Sequence, residues 1–311
     1  MNTIKVVEYK AEMKEDIINL FCNEYSYDFD NFQKKFENLY DDNFQKNKCI
    51  RVVALYNDEV VGFQSFFYWP YKINNSNLES YQSGNSIVKE NFRGLRIFSM
   101  MLDKIENMIQ QKNIDFIIGF PVEKSIGSFK RKKWINKFNL IWYVKPISFN
   151  PMISFKKPFI NLSNEKQFFD LENKEFIILE NSRVFEKYRI NLNKGNIYFS
   201  LQKNNIKLEL CCKLKKRRKI LNELIIGNIQ FNEFSEEAIN EAFIKIIEIA
   251  KKSNSIHFIS FAVSENIKVF KPVLLKFKFK SMKKKIFFIF KNFNNINFDN
   301  LLLFRADIDT W

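Results

Sequence analysis

The 311-residue sequence contains a single histidine, His257, and its placement decides against an ordinary Ser-His-Asp or Cys-His mechanism. That histidine lies in an apolar, strand-like stretch and reads as a packed core residue. Only four cysteines occur, Cys22, Cys49, Cys211 and Cys212, and none forms a CxxC pair. Neither a zinc site nor a disulfide framework is therefore expected, and the thiols read as reduced. No apolar run approaches the roughly 20 residues that span a bilayer, and the N-terminus (MNTIKVVEYKAE) lacks the apolar core of a signal peptide. These absences lead to the expectation of a cytoplasmic protein without a metal.

Positive charge is abundant. The formal net charge is +15, which suits polyanion binding. Yet the lysines accompany Asn, Ile and Phe, as an AT-rich coding sequence would dictate, and they read as spread along the chain. The densest run, KLKKRRK from Lys213 to Lys219, is expected in a solvated hairpin loop. A nucleic-acid partner is not favoured.

One stretch carries chemistry. From Asn85 to Leu102 the sequence passes from an apolar, strand-like SIV through KEN to a basic FRGLR, and from Ile97 apolar residues recur at helical spacing. The first amides of a helix have no partner within it and lie at the positive end of its dipole. The backbone of Arg93, Gly94, Leu95, Arg96, Ile97 and Phe98 is thus a candidate anion cradle: Gly94 permits close approach and the two arginines add charge. An ordinary strand-to-helix turn with solvated arginines is the competing reading.

Strands are expected at Lys5–Tyr9, Arg51–Tyr56, Glu59–Tyr68, Glu79–Val88, Phe116–Phe120 and Leu140–Lys145. Helices are expected near 12–23, 29–38, 97–111 and 124–133. That order, with a basic Gly-containing turn between the fourth strand and third helix, resembles the GNAT family of acyl-CoA-dependent N-acyltransferases. In that family the turn reads Arg or Gln, two residues, Gly, one residue, Gly or Ala. Here Arg93 opens the frame, Arg96 replaces the first glycine and Phe98 the second. The segments QSGNSIV, NFRGLRIF and DFIIGFPVEKSIGSFKRKKW, with the terminal DIDTW, are similar to bacterial GNAT proteins of roughly 300 residues associated with surface polysaccharide biosynthesis.

The second half repeats the order. IDFIIGFPVEKS (114–125) parallels IHFISFAVSEN (256–266), LIWYVKP parallels KIFFIFK, and a hairpin, a strand and a Ser235-capped helix precede the second copy. The expected fold is therefore α/β (α+β) with tandem GNAT-like domains, 1–150 and 151–311, each a mixed, mostly antiparallel twisted sheet flanked by helices. The second strand-to-helix turn, NIQFNEFSEEA, is acidic and would repel pyrophosphate. One acyl-CoA site, in the first half, is expected.

The resemblance implies acetyl-CoA or another acyl-CoA as co-substrate and a (nucleotide-linked) amino sugar as acceptor. It assigns polarisation of the thioester to backbone groups around Ile87 and Val88. Glu123, after the fifth strand, is a candidate base. Asn85 and Gln82, on opposite faces of the fourth strand, are candidates for holding a water or the acceptor. The family's usual tyrosine acid has no match, because Phe129 stands near its place. Alternatives are a paired-GNAT aminoacyl or peptidyl transferase and a non-catalytic glycan-binding module.

Overall fold

The computed structural model describes residues 3–74, 76–148, 150, 152–153, 157–169 and 175–311. In chain order its first elements are β1 (Ile4–Glu8), α1 (Lys14–Tyr25), α2 (Phe29–Tyr40), β2 (Ile50–Tyr56), β3 (Glu59–Tyr68), β4 (Tyr71–Ile73), β5 (Ser76–Leu78) and β6 (Ser80–Val88). Then come α3 (Ile97–Gln110), β7 (Phe116–Gly119), α4 (Glu123–Arg131), β8 (Asn139–Pro146), β9 (Ile178–Leu179), α5 (Arg183–Leu192), β10 (Asn196–Lys203) and β11 (Ile206–Arg217). The chain closes with β12 (Leu221–Phe231), α6 (Glu236–Lys252), β13 (Phe258–Ser264), α7 (Phe270–Lys276), β14 (Lys280–Phe287) and β15 (Ile289–Asn292).

Two units result, and they interleave instead of meeting at one cut near residue 150. The first comprises residues 1–71, 78–136 and 288–296; the second comprises 72–77, 137–287 and 297–311. The first holds a six-stranded sheet of order β1-β2-β3-β6-β7-β15, the second one of order β10-β11-β12-β13-β8-β14. Each sheet is antiparallel apart from one central pair, β6 with β7 and β12 with β13. KIFFIFK, expected as one strand, is split between the two sheets, its first part ending β14 and its last beginning β15. β8, which follows α4 in sequence, joins the second sheet, and β15 closes the first by pairing antiparallel with β7. A small sheet, β5-β4-β9, was not anticipated.

The cores follow the alternation. In the first unit α3 turns Ile97, Met101, Leu102, Ile105 and Ile109 onto Val52, Ala54, Phe66 and Ile117. Gly62 on β3 is where the helix comes closest, since an added Cβ would lie 3.2 Å from both Ala54 and Ile97. In the second unit α6 packs Ile239, Phe243, Ile246 and Ile247 on the corresponding sheet. Beside that core lies a buried ionic cluster: Lys166 reaches Glu186 and Glu209 at 3.4 Å each, and Arg189 reaches Glu186 at 2.8 Å and Asp307 at 3.6 Å. Three carboxylates face two cations. Burial pushes Asp307 up to about 6 and also raises Glu209. Burial works against Glu186 too, but Arg189 and Lys166 hold it below the ordinary carboxylate range.

His257 is buried, as expected of a core residue. Its Nδ1 accepts the Asn222 amide at 3.0 Å, and burial, then Lys216, lowers its pKa. Cys211 and Cys212 are buried thiols, Cys211 pushed up to about 12. The basic run 213–219 is mostly strand: β11 continues to Arg217, leaving Arg218 and Lys219 at the turn. Charge is also divided unevenly. The first unit holds 19 of the 50 Lys and Arg with 18 of the 35 Asp and Glu, a net +1; the second holds 31 and 17, a net +14.

Candidate functional site

The site begins with a fault in strand pairing. β6 pairs with β7 only over Ser80–Gln82 and Phe116–Ile118. On its other edge, Gln64 stands opposite Ser86 and Phe66 opposite Ser83, so β6 carries an extra residue at this point. Such a bulge bends the strand. β6 then runs on to Val88 while β7 ends at Gly119, and among the described residues no strand lies along the β7 edge of the last residues of β6. The Lys89 amide donates to the Val61 carbonyl at 2.9 Å. Alternation therefore keeps Ile87 in the ladder opposite Phe63 and turns the backbone of Ser86 and Val88 to the open side. Of the two residues that the family resemblance nominates, Val88 is the available one.

The turn that follows is built from two residues of positive φ. Gly94 has φ +87°, which glycine adopts freely, and Arg96 has φ +60° and ψ +16°, left-handed backbone at the place where the family has glycine. The first helical bond runs from the Met100 amide to the Arg96 carbonyl at 3.0 Å, so the amides of Ile97, Phe98 and Ser99 precede it and point out of the helix. The two arginines have different tasks. Arg93 Nε donates to the Val88 carbonyl at 3.1 Å, and its guanidinium pairs with Glu24 and lies 3.9 Å from Glu90. Arg93 shapes the turn. The Arg96 side chain is exposed and makes no hydrogen bond or ion pair among the described residues.

These groups line a cavity of about 1140 Å³ between Ser86–Val88, the turn with the start of α3, and α4. Lys124, Arg131 and Lys132 join Arg93 and Arg96 in the wall, and no Asp or Glu among the described residues lines it. Lys132 is held by Asp103 at 2.6 Å and Arg131 donates to Ser128 Oγ at 3.0 Å, while Ser125 donates to the Val122 carbonyl at 2.9 Å. The contribution of α4 was missed from sequence, although SFKRKKW announces it. Ile97 sends its side chain into the core and offers only its amide. Phe98 packs edge-on against Phe129, centroids 5.3 Å apart, and Phe129 against Trp134 at 5.0 Å. Leu95 is 55% exposed.

The other nominated residues stand elsewhere. Glu123 is exposed at the first turn of α4 and does not line the cavity. Asn85 Nδ2 donates to the Tyr40 hydroxyl at 3.2 Å, and that hydroxyl shares a 2.7 Å hydrogen bond with Ser65. Burial holds the Tyr40 phenol well above its ordinary pKa, so Asn85 braces a buried neutral tyrosine. Gln82 is fully buried. Gln64, unremarked in the sequence, donates to Ser83 Oγ at 3.3 Å where β6 and β7 diverge, and its buried Oε1 has no donor among the described residues.

The second unit repeats the fault and closes it. β12 and β13 pair over Glu223–Ile226 and Phe258–Phe261, and the bulge falls at Gly227. Here the free edge of β13 is taken: the Ser264 amide donates to the Leu303 carbonyl at 3.0 Å, and Val263 bridges Phe304. Trp311 then covers Gly227, its Nε1 donating to Asn196 at 2.9 Å. At the start of α6 the Ala238 amide is already capped by Ser235 at 3.2 Å.

No family model matches the sequence, and no curated protein resembles it at the sequence level. Solved structures do match the fold. A GCN5-related N-acetyltransferase from Anabaena variabilis ATCC 29413 superposes with a TM-score of 0.65 at 10% identity, over 93% of this chain and 73% of its own. One from Kribbella flavida gives 0.62 at 9% identity, over 94% and 72%. The N-myristoyltransferase of Saccharomyces cerevisiae, solved with bound myristoyl-CoA, gives 0.53 at 11% identity, over 99% and 85%. Over nearly its whole length, the chain has the fold of GCN5-related N-acetyltransferases.

Proposed function

We propose that the first unit binds an acyl-CoA and transfers its acyl group, acetyl being the expected one, to the amino group of a nucleotide-linked amino sugar in the cytoplasm. The observation that carries this reading is the cavity at the start of α3: outward amides, a free Arg96, basic α4 residues and no carboxylate among the described residues of the wall. Such a wall suits a pyrophosphate. The co-substrate supplies an activated acyl thioester. The chain's own residues then position and polarise: the outward amides of Ser86 and Val88 are donors for the carbonyl, and Ser125 and Ser128 offer hydroxyls on the opposite wall. Among the described residues no imidazole lines the cavity; water and the Tyr25 hydroxyl in its wall are the groups that can serve the amine proton and the departing thiol. The sugar acceptor rests on the resemblance of QSGNSIV and NFRGLRIF alone.

The test is mass spectrometry of a panel of nucleotide amino sugars incubated with acetyl-CoA and the protein, beside calorimetric titration of acetyl-CoA. An acetylated sugar supports the reading in full. Binding without sugar acetylation sinks the acceptor assignment, and absence of acetyl-CoA binding sinks the transferase reading.

A further inference from the structure

More than half of the second unit's net positive charge, eight of fourteen, falls in one continuous stretch of chain. Eight lysines and no arginine lie between Lys268 and Lys285, and no Asp or Glu occurs from Asn266 to Phe298. All eight (268, 271, 276, 278, 280, 283, 284 and 285) are exposed. Only Lys285 has an acidic partner among the described residues, Glu265 at 3.3 Å. Helix α7 buries Phe270, Val273 and Leu274 and turns Lys271, Leu275 and Lys276 outward, with Lys268 exposed just before it. β14 continues the surface as the last strand of its sheet, paired only with β8.

Aliphatic side chains stand among the lysines. Val269, Leu275 and Met282 are 38%, 54% and 49% exposed. Lysines on an edge strand block pairing with other strands, which accounts for some of those on β14. It does not account for those on α7, nor for Leu275 and Met282, which would weaken such protection. Of the aromatic rings nearby, Phe270 and Phe279 are each 1% exposed and Phe277 and Phe287 are half-buried, so among the described residues the face has no fully exposed ring on which bases could stack. It also lacks the planar arginine fork that suits discrete phosphates. Lysines as mobile point charges, with short aliphatic groups between them, match a fluid sheet of anionic headgroups over hydrocarbon.

We propose that the face formed by α7 and β14 docks the protein on an anionic lipid bilayer, the lysines meeting headgroups and Val269, Leu275 and Met282 entering the headgroup boundary. This does not depend on the acyltransferase reading. The test is cosedimentation of the full chain with vesicles of equal parts phosphatidylglycerol and phosphatidylcholine, against vesicles of phosphatidylcholine alone. Binding is expected only to the former and falls with added salt. Each lysine near the surface contributes roughly fivefold, so the triple variant Lys280→Gln/Lys283→Gln/Lys284→Gln lowers partitioning about a hundredfold. The matched variant Lys34→Gln/Lys35→Gln/Lys46→Gln, on exposed positions of the first unit, leaves it near wild type. Leu275→Ser/Met282→Ser weakens binding about tenfold or more, with an unchanged thermal melt showing that the fold is intact. No preference for anionic vesicles, equal loss in both triple variants, or indifference to the Leu275/Met282 pair would each overturn the proposal. So would duplex RNA that outcompetes the vesicles through the same lysines.

Discussion

The indole of Trp311 lies directly on Gly227, so closely that a Cβ at position 227 would stand 2.4 Å from the ring. The second unit's own strand divergence is thereby filled from within, whereas the corresponding divergence in the first unit opens on the cavity. Calorimetric titration with acetyl-CoA is expected to give one site per chain. Two equal sites would mean that the 301–311 segment yields to the ligand.

Arg96 carries two opposed effects. Its left-handed backbone costs an arginine about 1 kcal/mol relative to glycine, while its free guanidinium is the cation best placed for a phosphate. Arg96→Gly should therefore raise the melting temperature slightly yet weaken acetyl-CoA about tenfold or more, and Arg96→Ala should weaken binding without the stability gain. Equal or tighter binding by Arg96→Gly would show that the side chain only crowds the site.

At Gly94 the constraint is conformational. A Cβ there would meet nothing within 4 Å, but φ is +87°. Gly94→Asn, which tolerates such backbone, should retain most acetyl-CoA affinity, whereas Gly94→Val should lose it by tenfold or more. Similar affinities for both variants would show that the turn is not a cradle.

Glu123 invites a simple kinetic check. Exposed and outside the cavity wall, it has no proton to take, so Glu123→Gln should leave turnover within about twofold of wild type. A fall of two to four orders of magnitude would restore it as the base.

The ionic cluster predicts a pH dependence of stability. Asp307 titrates at about 6 in the fold against an ordinary 3.8, so the folded state binds its proton more tightly than the unfolded chain. That contribution is fully present below pH ~3.8 and is lost as pH rises through about 6, a change on the order of 3 kcal/mol. Denaturant melts of Asp307→Asn should gain on wild type as pH rises from 4 to 7. A constant difference would show that Asp307 is not the group that titrates.

Much of this architecture was legible because period and punctuation are local properties. The apolar spacing from Ile97 and the Asn57–Asp58 turn each announce an element without reference to the rest of the chain, as does Ser235 ahead of α6. Partner choice is not local. Nothing in LIWYVKP says that it will leave the sheet preceding it, because its alternation suits either. Arg93 and Arg96 look equivalent in FRGLR; only the fold brings Glu24 to one of them. The basic wall of α4 was visible as composition, but its aim into the cavity depends on how α4 lies against β6.

The exchange of β8 and β15 has a consequence for synthesis on the ribosome. A nascent chain of 150 residues already contains the turn at Arg93–Phe98 and every helix around it, but β7 still waits for Ile289–Asn292, its pairing partner. Contacts separated by some 170 residues fold slowly, since loop closure must precede their reward. The first sheet is thus completed only after Asn292 has been made. Until then the open edge of β7 is a surface for chaperones to guard, and a fragment cut at residue 150 would keep that edge permanently.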